Sequence, residues 1–227
     1  MARAKAKSRA AARRTVAKKP EPPSAAGPAL ALLEIAEVPV GLRALDALVK
    51  EAFVEIAARG TVQCGRYLIA FAGQVEPVEM SFGRALEIAG GKLCDSVLLP
   101  DAEPRLLPAF RNGVVRWPAP GDALGVVQSE TCPTLLNAID LALKGAQVDL
   151  VELRLADGLG GKALATLWGD VHDVEAAIEI AEAANARQLS FSPGVRDALN
   201  TVVIPNADDE VRNAVSGGTR FFTEWRG

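Results

Sequence analysis

The chain repeats itself, and this internal duplication constrains its fold more than any other feature. Residues 44–55, ALDALVKEAFVE, return as AIDLALKGAQVD at 138–149, and the same offset of 94 positions aligns Pro39 with Pro133. A period of this length exceeds the roughly 20–50 residues of a solenoid repeat and fits one small domain copied once. We therefore predict two similar domains in tandem.

The duplication continues beyond this segment with a changing offset. Residues 65–75 match 161–171 at an offset of 96, and residues 98–102 match 203–207 at an offset of 105. The second copy has therefore gained residues between segments that still match. Insertions of this kind are tolerated in surface loops, so the matched segments are expected to be the secondary-structure elements.

Each copy is predicted to contain the same elements in the same order. Pro39 opens a helix at a position where its missing N–H costs nothing, and Leu42, Leu45, Leu48 with Val49, and Ala52 give that helix one apolar face. The predicted strands are 29–34, 54–59, 66–72 and one ending at Pro100, and in the second copy 148–154, 162–168 and one ending at Pro205. A second helix follows each hairpin, and short helices at 102–110 and 207–215 end the copies. This is the order of a ferredoxin-like βαββαβ sandwich of the α/β (α+β) class, present twice.

Composition divides the chain into five segments. They are a disordered basic tail at 1–28, a first domain at 29–111, a Pro- and Gly-rich linker at 112–121, a second domain at 122–216 and a C-terminal tail at 217–227. Eight of the 25 Lys and Arg residues lie in the first nineteen positions, so that the remainder carries 17 basic and 28 acidic residues. The basic tail either binds nucleic acid or an acidic protein surface, or is a solvated extension. Phe221, Phe222 and Trp225 on the C-terminal tail are expected to need a surface on which to lie.

The cysteines and the hydropathy indicate the compartment. Cys64, Cys94 and Cys132 are an odd number and form no C-x-x-C pair, which argues against a disulfide framework and a zinc ribbon and favours the reducing cytoplasm. Cys94 and Cys132 lie near core elements and are predicted to be buried hydrophobic residues. No run of 18 uncharged apolar residues exists, so no membrane partner is expected.

The residues that catalysis needs are largely missing. His172 is the one histidine, at the polar start of a helix, so no Ser/His/Asp set or multi-histidine metal site can form within one chain. Glycines at 158–161 join two strands rather than a strand and a helix, and the Gly-Gly-Lys at 90–92 lacks the Ser or Thr of a phosphate-binding loop. We predict that the protein is not an enzyme and has no catalytic residues.

Three motifs recur in order in both copies. They are A-x-D-x-x-x-K-x-A-x-V-[ED] at 44–55 and 138–149, G-[DQ]-V at 73–75 and 169–171, and [LI]-P at 99–100 and 204–205. With the order of elements, they resemble the bacterial microcompartment shell protein family, specifically the tandem-domain class that forms homotrimers imitating a hexamer. The resemblance covers residues 29–216.

This resemblance implies flat plates that tile a polyhedral protein shell in the cytoplasm around encapsulated enzymes. The implied partners are hexameric and pentameric shell proteins of the same compartment, the encapsulated enzymes, and small metabolites that cross a central pore. The loops between the second and third strands would line that pore, through Gln63, Cys64, Gly65, Gly158, Leu159, Gly160 and Gly161. No cofactor is required for this role.

The resemblance also implies an edge contact between plates. Lys50 and Lys144 match the family's edge lysine. After the [LI]-P motif, however, Asp101 and Asn206 stand where the family usually has an arginine, so the arginine contact is expected to be missing in both copies.

Two other functions stay open at this stage. Tandem ferredoxin-like domains also occur as small-molecule-binding or regulatory modules, which would need a concave apolar pocket between the copies. Some relatives carry electrons through an iron–sulfur cluster with one cysteine from each chain at the threefold axis. Cys64 would be that ligand, or else it is a small polar residue of the pore.

The glycine-rich second loop either exposes N–H groups that attract polar or anionic metabolites, or fills the axis of the pore and closes it.

Overall fold

The computed structural model describes residues 27–112, 122–156, 158–191, 199–216 and 218–219. The predicted basic tail at 1–28, linker at 112–121 and C-terminal tail at 217–227 lie almost wholly outside these residues and stay predictions.

The first copy has the predicted order of elements. It contains β1 (Ala29–Ile35), α1 (Val38–Glu51), β2 (Glu55–Thr61), β3 (Tyr67–Gly73), α2 (Val75–Ala89), β4 (Leu93–Leu99) and α3 (Leu106–Asn112). The second copy repeats this order with β5 (Ala123–Ser129), α4 (Cys132–Gly145), β6 (Asp149–Leu155), β7 (Ala163–Gly169), α5 (Val171–Phe191), β8 (Asn200–Pro205) and α6 (Asp209–Ser216). The predicted fold class, two α/β sandwiches in tandem, is confirmed.

Each copy folds around a four-stranded antiparallel sheet. The strand orders are β2-β3-β1-β4 and β6-β7-β5-β8, so the two sheets have one topology. Their registers also agree, since Glu34 pairs with Asp95 in the first sheet as Gln128 pairs with Asn200 in the second. Residues of the two copies can therefore be compared position by position at the offset found for each matched segment.

The short helices begin later than the sequence predicted. α3 starts at Leu106 rather than at residue 102, and α6 starts at Asp209 rather than at 207. In α6 the side chain of Asp208 accepts a hydrogen bond from the N–H of Glu210 at 2.9 Å, which makes Asp208 the residue that caps the helix.

The prediction of which residues α1 buries was only partly right. The residues that α1 buries are Gly41, Ala44 and Leu48, whereas Leu42 and Val49 are about half exposed. Gly41 lies against Tyr67 of β3, so the helix approaches its own sheet along this narrower line. The apolar stripe is thus wider than the first copy's own core requires.

The two copies share one hydrophobic cluster. One face of each sheet covers the helices of its own copy, and we call the opposite face the outer face. On the first sheet, Leu32, Val97 and Leu99 of the outer face belong to one buried cluster with Leu136 and Leu143 of α4. We call this contact between the first sheet and α4 the joint.

Candidate pore loops and the joint between the copies

The first predicted pore loop is a single tight turn between β2 and β3. Residues Gln63–Gly65 form a short 3-10 turn, in which Cys64 has a φ of 63° and Gly65 a φ of 73°. This left-handed conformation is easy for glycine but uncommon for a residue with a side chain. The thiol of Cys64 is exposed.

The second predicted pore loop, between β6 and β7, depends on glycine to a greater extent. Gly158, Gly160 and Gly161 have φ values of 71°, 65° and 92°, so all three use the left-handed region. The loop is closed by the N–H of Ala156, which donates to the carbonyl oxygen of Lys162 at 3.0 Å. Its two extra residues are thus taken up by turns that other residues would adopt only with strain.

The two loops contact each other. The thiol of Cys64 donates to the carbonyl oxygen of Gly160 at 2.9 Å, and the N–H of Gly160 donates to Oε1 of Gln63 at 2.7 Å. The structure thereby brings together residues that are 96 and 97 positions apart, as neighbouring pore loops would be. The N–H of Gly160, which the sequence suggested for anion binding, is occupied by Gln63.

Two carboxylates of the first sheet bind the beginning of α4. Oδ2 of Asp95 accepts hydrogen bonds from the hydroxyl of Thr131 at 2.5 Å, the N–H of Thr134 at 3.0 Å and its hydroxyl at 2.8 Å. Oε2 of Glu34 accepts the N–H of Cys132 at 2.8 Å. The first N–H groups of a helix lack partners within it, and negative charge is favoured there. The first copy therefore caps a helix of the second.

Burial shifts the pKa values of ionisable groups in and beside this joint. The pKa of the Glu34 carboxyl is raised because its burial disfavours the charged form by more than the Cys132 N–H bond and the Arg66 ion pair favour it. Burial alone would lower the pKa of Arg66, but the bond to Glu34 raises it. Cys132 is buried, as predicted, and this burial strongly raises the pKa of its thiol. Cys94, by contrast, is only half-buried, so the prediction that it is buried was wrong.

The predicted edge residues behave differently in the two copies. Lys144 donates to the carbonyl oxygen of Asp101 and to the carboxylate of Asp140, the latter at 2.7 Å. Lys50 is exposed, with 71% of its side chain accessible, and pairs with Asp46 at 2.6 Å. The structure thus joins Lys144 to Asp101 across the copies, whereas Lys50 and Asn206 take no part in such a contact within the described chain.

Sequence reasoning missed the residues that fasten the joint. Arg105 donates to the carbonyl oxygen of Leu143 in the last turn of α4 at 2.9 Å and to that of Val148, just beyond the helix, at 2.7 Å. Glu34 and Asp95 hold its beginning, as described above. A signal for Glu34 was present, since it interrupts the apolar run of β1 and is nevertheless fully buried.

A cavity of about 280 Å³ lies between the copies. Its walls include Leu32, Leu68 and Ala70 of the first sheet, Phe110 of α3, and Leu153 and Leu155 of β6. A concave apolar pocket between the copies is what the small-molecule-binding alternative expected. Arg59, Thr61 and Arg154 add polar groups to these walls, and an apolar lining with a few polar side chains is a feature that ligand sites usually have.

The histidine and the other potential metal ligands do not gather into a metal site among the residues that the structure describes. His172 is exposed and lies 3.8 Å from Glu175. No cluster of three or more metal-binding side chains occurs within the described part of the chain. In the same residues, none of the helices combines the length and the apolar character that crossing a membrane requires.

The domain family is shown by direct comparison. The model of the BMC domain matches residues 29–102 and again residues 123–207, one match in each copy. The chain belongs to the BMC domain family. Both predicted pore loops and the whole of α4 lie within the two BMC domains, so the joint is a contact between one BMC domain and the next.

The chain is similar to microcompartment proteins along most of their length. The bacterial microcompartment shell protein PduT of Citrobacter freundii is 32% identical over 164 residues, which are 71% of this chain and 87% of that protein. A crystal structure of a microcompartment protein from Desulfitobacterium hafniense is 32% identical with a TM-score of 0.68, and covers 83% of this chain and 99% of that one. The fused permuted hexameric shell protein MSM0275 shares the fold at 22% identity and a TM-score of 0.55, over 70% of this chain and 84% of its own.

Proposed function

We propose that this tandem BMC-domain protein is a structural tile of a bacterial microcompartment shell, built as a homotrimer in which six domains surround one axis. The proposal rests on the family, on relatives that are named as microcompartment shell proteins, and on one feature of the chain itself. That feature is the unequal burial of equivalent positions in the two copies.

Equivalent residues on α1 and α4 differ sharply in exposure. Leu136 of α4 is fully buried in the joint, whereas its counterpart Leu42 on α1 is 51% exposed. Val49 is 47% exposed, and its counterpart Leu143 is 3% exposed. α1 thus presents the apolar face that α4 uses to bind a sheet, and no sheet within the described chain covers it.

The sheets show the complementary difference. Val97 on the outer face of the first sheet is buried under α4, whereas Val202, at the same place in the second sheet, is 48% exposed. Each chain therefore exposes apolar residues on one helix face and on one sheet face, the same two kinds of surface that meet in the joint. Burying a Leu or Val side chain is worth about 1.5–3 kcal/mol, so joining these faces is favourable.

An open helix at one end and an open sheet at the other define a head-to-tail contact. Such contacts either continue as an open filament or close into a ring. If the contact between chains repeats the joint within each chain, three chains close a ring of six domains with pseudo-sixfold symmetry. In that ring the loops around Cys64 and Gly160, which touch within one chain, alternate around the axis.

The proposed partners follow from this arrangement. Further shell proteins of the compartment would meet the outer edges of the trimer near Lys50 and Lys144, and small metabolites would cross at the loops. Catalysis is no part of the proposed role. An iron–sulfur cluster stays a prediction, because Cys64 supplies one exposed thiol per chain and its bond to Gly160 would have to break.

Analytical ultracentrifugation tests the trimer directly. The wild-type chain is expected to sediment as a trimer or as sheets of trimers, and Leu42→Asp is expected to sediment as a folded monomer. Met80→Asp is the matched control, because Met80 is about equally exposed but lies on α2. A wild-type chain that stays monomeric at micromolar concentration would contradict the proposal.

Electron microscopy tests the role in a shell. The chain co-expressed with single-domain shell proteins is expected to appear in closed polyhedral particles, from which Leu42→Asp is excluded. Closed particles that form equally well and never contain the wild-type chain would count against the structural role.

A further inference from the structure

The joint within the chain depends on charge. Glu34 and Asp95 of the first sheet are both nearly inaccessible, and together they accept every hydrogen bond described above from Thr131, Cys132 and Thr134. A helix end must bring hydrogen-bond donors to be accepted at this sheet, because a second negative charge there would be unpaired and buried.

α1 brings the opposite chemistry to its corresponding end. The position of Thr131 is taken by Glu37, which is half exposed, caps no N–H of α1 among the described residues and forms an ion pair with Lys92 of its own chain. The position of Thr134 is taken by Val40, which has no hydroxyl. At the first sheet, α1 would therefore place the carboxylate of Glu37 beside that of Asp95.

The second sheet has lost both carboxylates. At the positions of Glu34 and Asp95 it carries Gln128 and Asn200, which pair with each other in the ladder as the two acids do. A side-chain amide donates as well as accepts, so Asn200 can donate to a carboxylate such as that of Glu37. The oxygen of Gln128 can accept the N–H of Val38, as Glu34 accepts that of Cys132.

We propose that these exchanges form a pairing code that decides which helix each sheet accepts. The first sheet accepts α4, which offers hydroxyl donors, and rejects α1 through repulsion between Asp95 and Glu37. The second sheet accepts α1 of another copy of this chain, with Glu37 bound by Asn200. Specificity of this kind combines an attraction for the right partner with a repulsion against the wrong one.

The code rests on the proposed trimer and adds which helix binds which sheet within it. It makes the contact between chains directional, so that first and second domains alternate around the ring. It also keeps α1 of one chain from displacing α4 at the first sheet of another. The partner that the open second sheet fits is therefore a helix beginning with an acidic residue, presented by a second copy of the same chain.

A charge-swap experiment tests the code, with the trimer dissociation constant measured by sedimentation equilibrium on the full chain. Asn200→Asp places two carboxylates together and is expected to raise the dissociation constant about tenfold or more, with a smaller effect at high salt. Glu37→Lys removes the carboxylate and is also expected to weaken the trimer, but it breaks the ion pair with Lys92 as well, so the double variant is the one that decides. The double variant pairs Lys with Asp and is expected to restore the wild-type constant to within about threefold.

Controls separate this code from other effects. Glu87→Lys reverses an exposed carboxylate on α2 and is expected to leave the trimer unchanged. Circular dichroism checks that each variant is folded, which is expected because Glu37 and Asn200 are both accessible. A double variant that is no tighter than the two single variants would overturn the code while leaving the trimer in place. A monomeric wild-type chain would overturn both.

Discussion

Gly41 of α1 lies so close to Tyr67 of β3 that a Cβ atom on Gly41 would come within 2.6 Å of the tyrosine ring. The second copy has Leu135 and Ala163 at the same two positions, and both are fully buried. The bulk that the first copy carries on its strand is carried on the helix in the second. Each copy thus fills one space with one large and one small residue, in opposite order.

This exchange predicts compensation between two substitutions. Gly41→Leu is expected to lower the free energy of unfolding by about 1–3 kcal/mol through overpacking. Tyr67→Ala is expected to lower it by about 3–5 kcal/mol by leaving a cavity. The double variant, which copies the second domain, is expected to lose clearly less than the sum of the two, as measured by urea unfolding. Strict additivity would contradict the compensation.

Arg105 is predicted to stabilise the joint between the copies. Its guanidinium binds one carbonyl oxygen in the last turn of α4 and one just beyond that helix, and hydrogen bonds that involve a charged group are worth about 1.5–3 kcal/mol. Because the side chain is partly exposed, Arg105→Ala is expected to cost about 1–3 kcal/mol in urea unfolding. Arg84→Ala, which breaks an exposed pair with Glu87, is the control and is expected to cost less than about 0.5 kcal/mol. Equal effects would mean that Arg105 does not fasten the joint.

The order of elements was predictable because it depends on local patterns. Apolar periodicity, Pro39 and Pro133 at the starts of helices, and the agreement between two copies predicted the order of the strands and the long helices. The short helices were misplaced by two to four residues, since the side chain of Asp208 and the turn before Leu106 decide where they begin.

The joint could not be predicted, because its contacts link residues that are far apart in sequence. Glu34 and Cys132 are 98 positions apart, and Asp95 and Thr134 are 39 apart. These contacts form only when one domain docks on the other, and the apolar periodicity within a helix or strand does not indicate how two domains dock. The wide apolar stripe of α1 was visible in the sequence, but Leu42 was assigned to its own core because a partner surface cannot be seen in a single chain.

Glu34 is predicted to give the joint a measurable pH dependence. Because its pKa is raised above the ordinary value of 4.5, the folded state binds this proton more tightly than the unfolded chain does. The stabilisation from that proton is complete below about pH 4.5 and is lost as the pH rises through the raised pKa. Compared with Glu34→Gln, the wild-type chain is expected to lose stability as the pH increases from about 4 to 8.

Urea unfolding of the wild-type chain and of Glu34→Gln across this pH range checks the prediction. The other carboxyl groups titrate alike in the two proteins, so their effects cancel in the difference between the two free energies of unfolding. A difference between wild type and Glu34→Gln that stays constant with pH would show that the pKa of Glu34 is the same in the folded and unfolded states.

The last prediction concerns passage through the pore. A Cβ added at Gly160 would meet no atom within 4 Å, so a large side chain has space in the single chain despite the φ of 65°. The left-handed backbone is expected to cost a substituted residue about 1–2 kcal/mol. Gly160→Trp is therefore expected to leave the trimer assembled and to slow metabolite entry into closed shells.

Gly160→Asn is the matched control, because asparagine tolerates this conformation and adds little bulk. It is expected to leave entry close to the wild-type rate, measured as the rate at which enclosed enzyme consumes an added polar substrate. Loss of entry in both variants would point to damage to the contacts of Gly160 with Gln63 and Cys64. Unchanged entry with the tryptophan shown to lie on the axis would mean that metabolites cross the shell elsewhere and that this trimer serves as a tile alone.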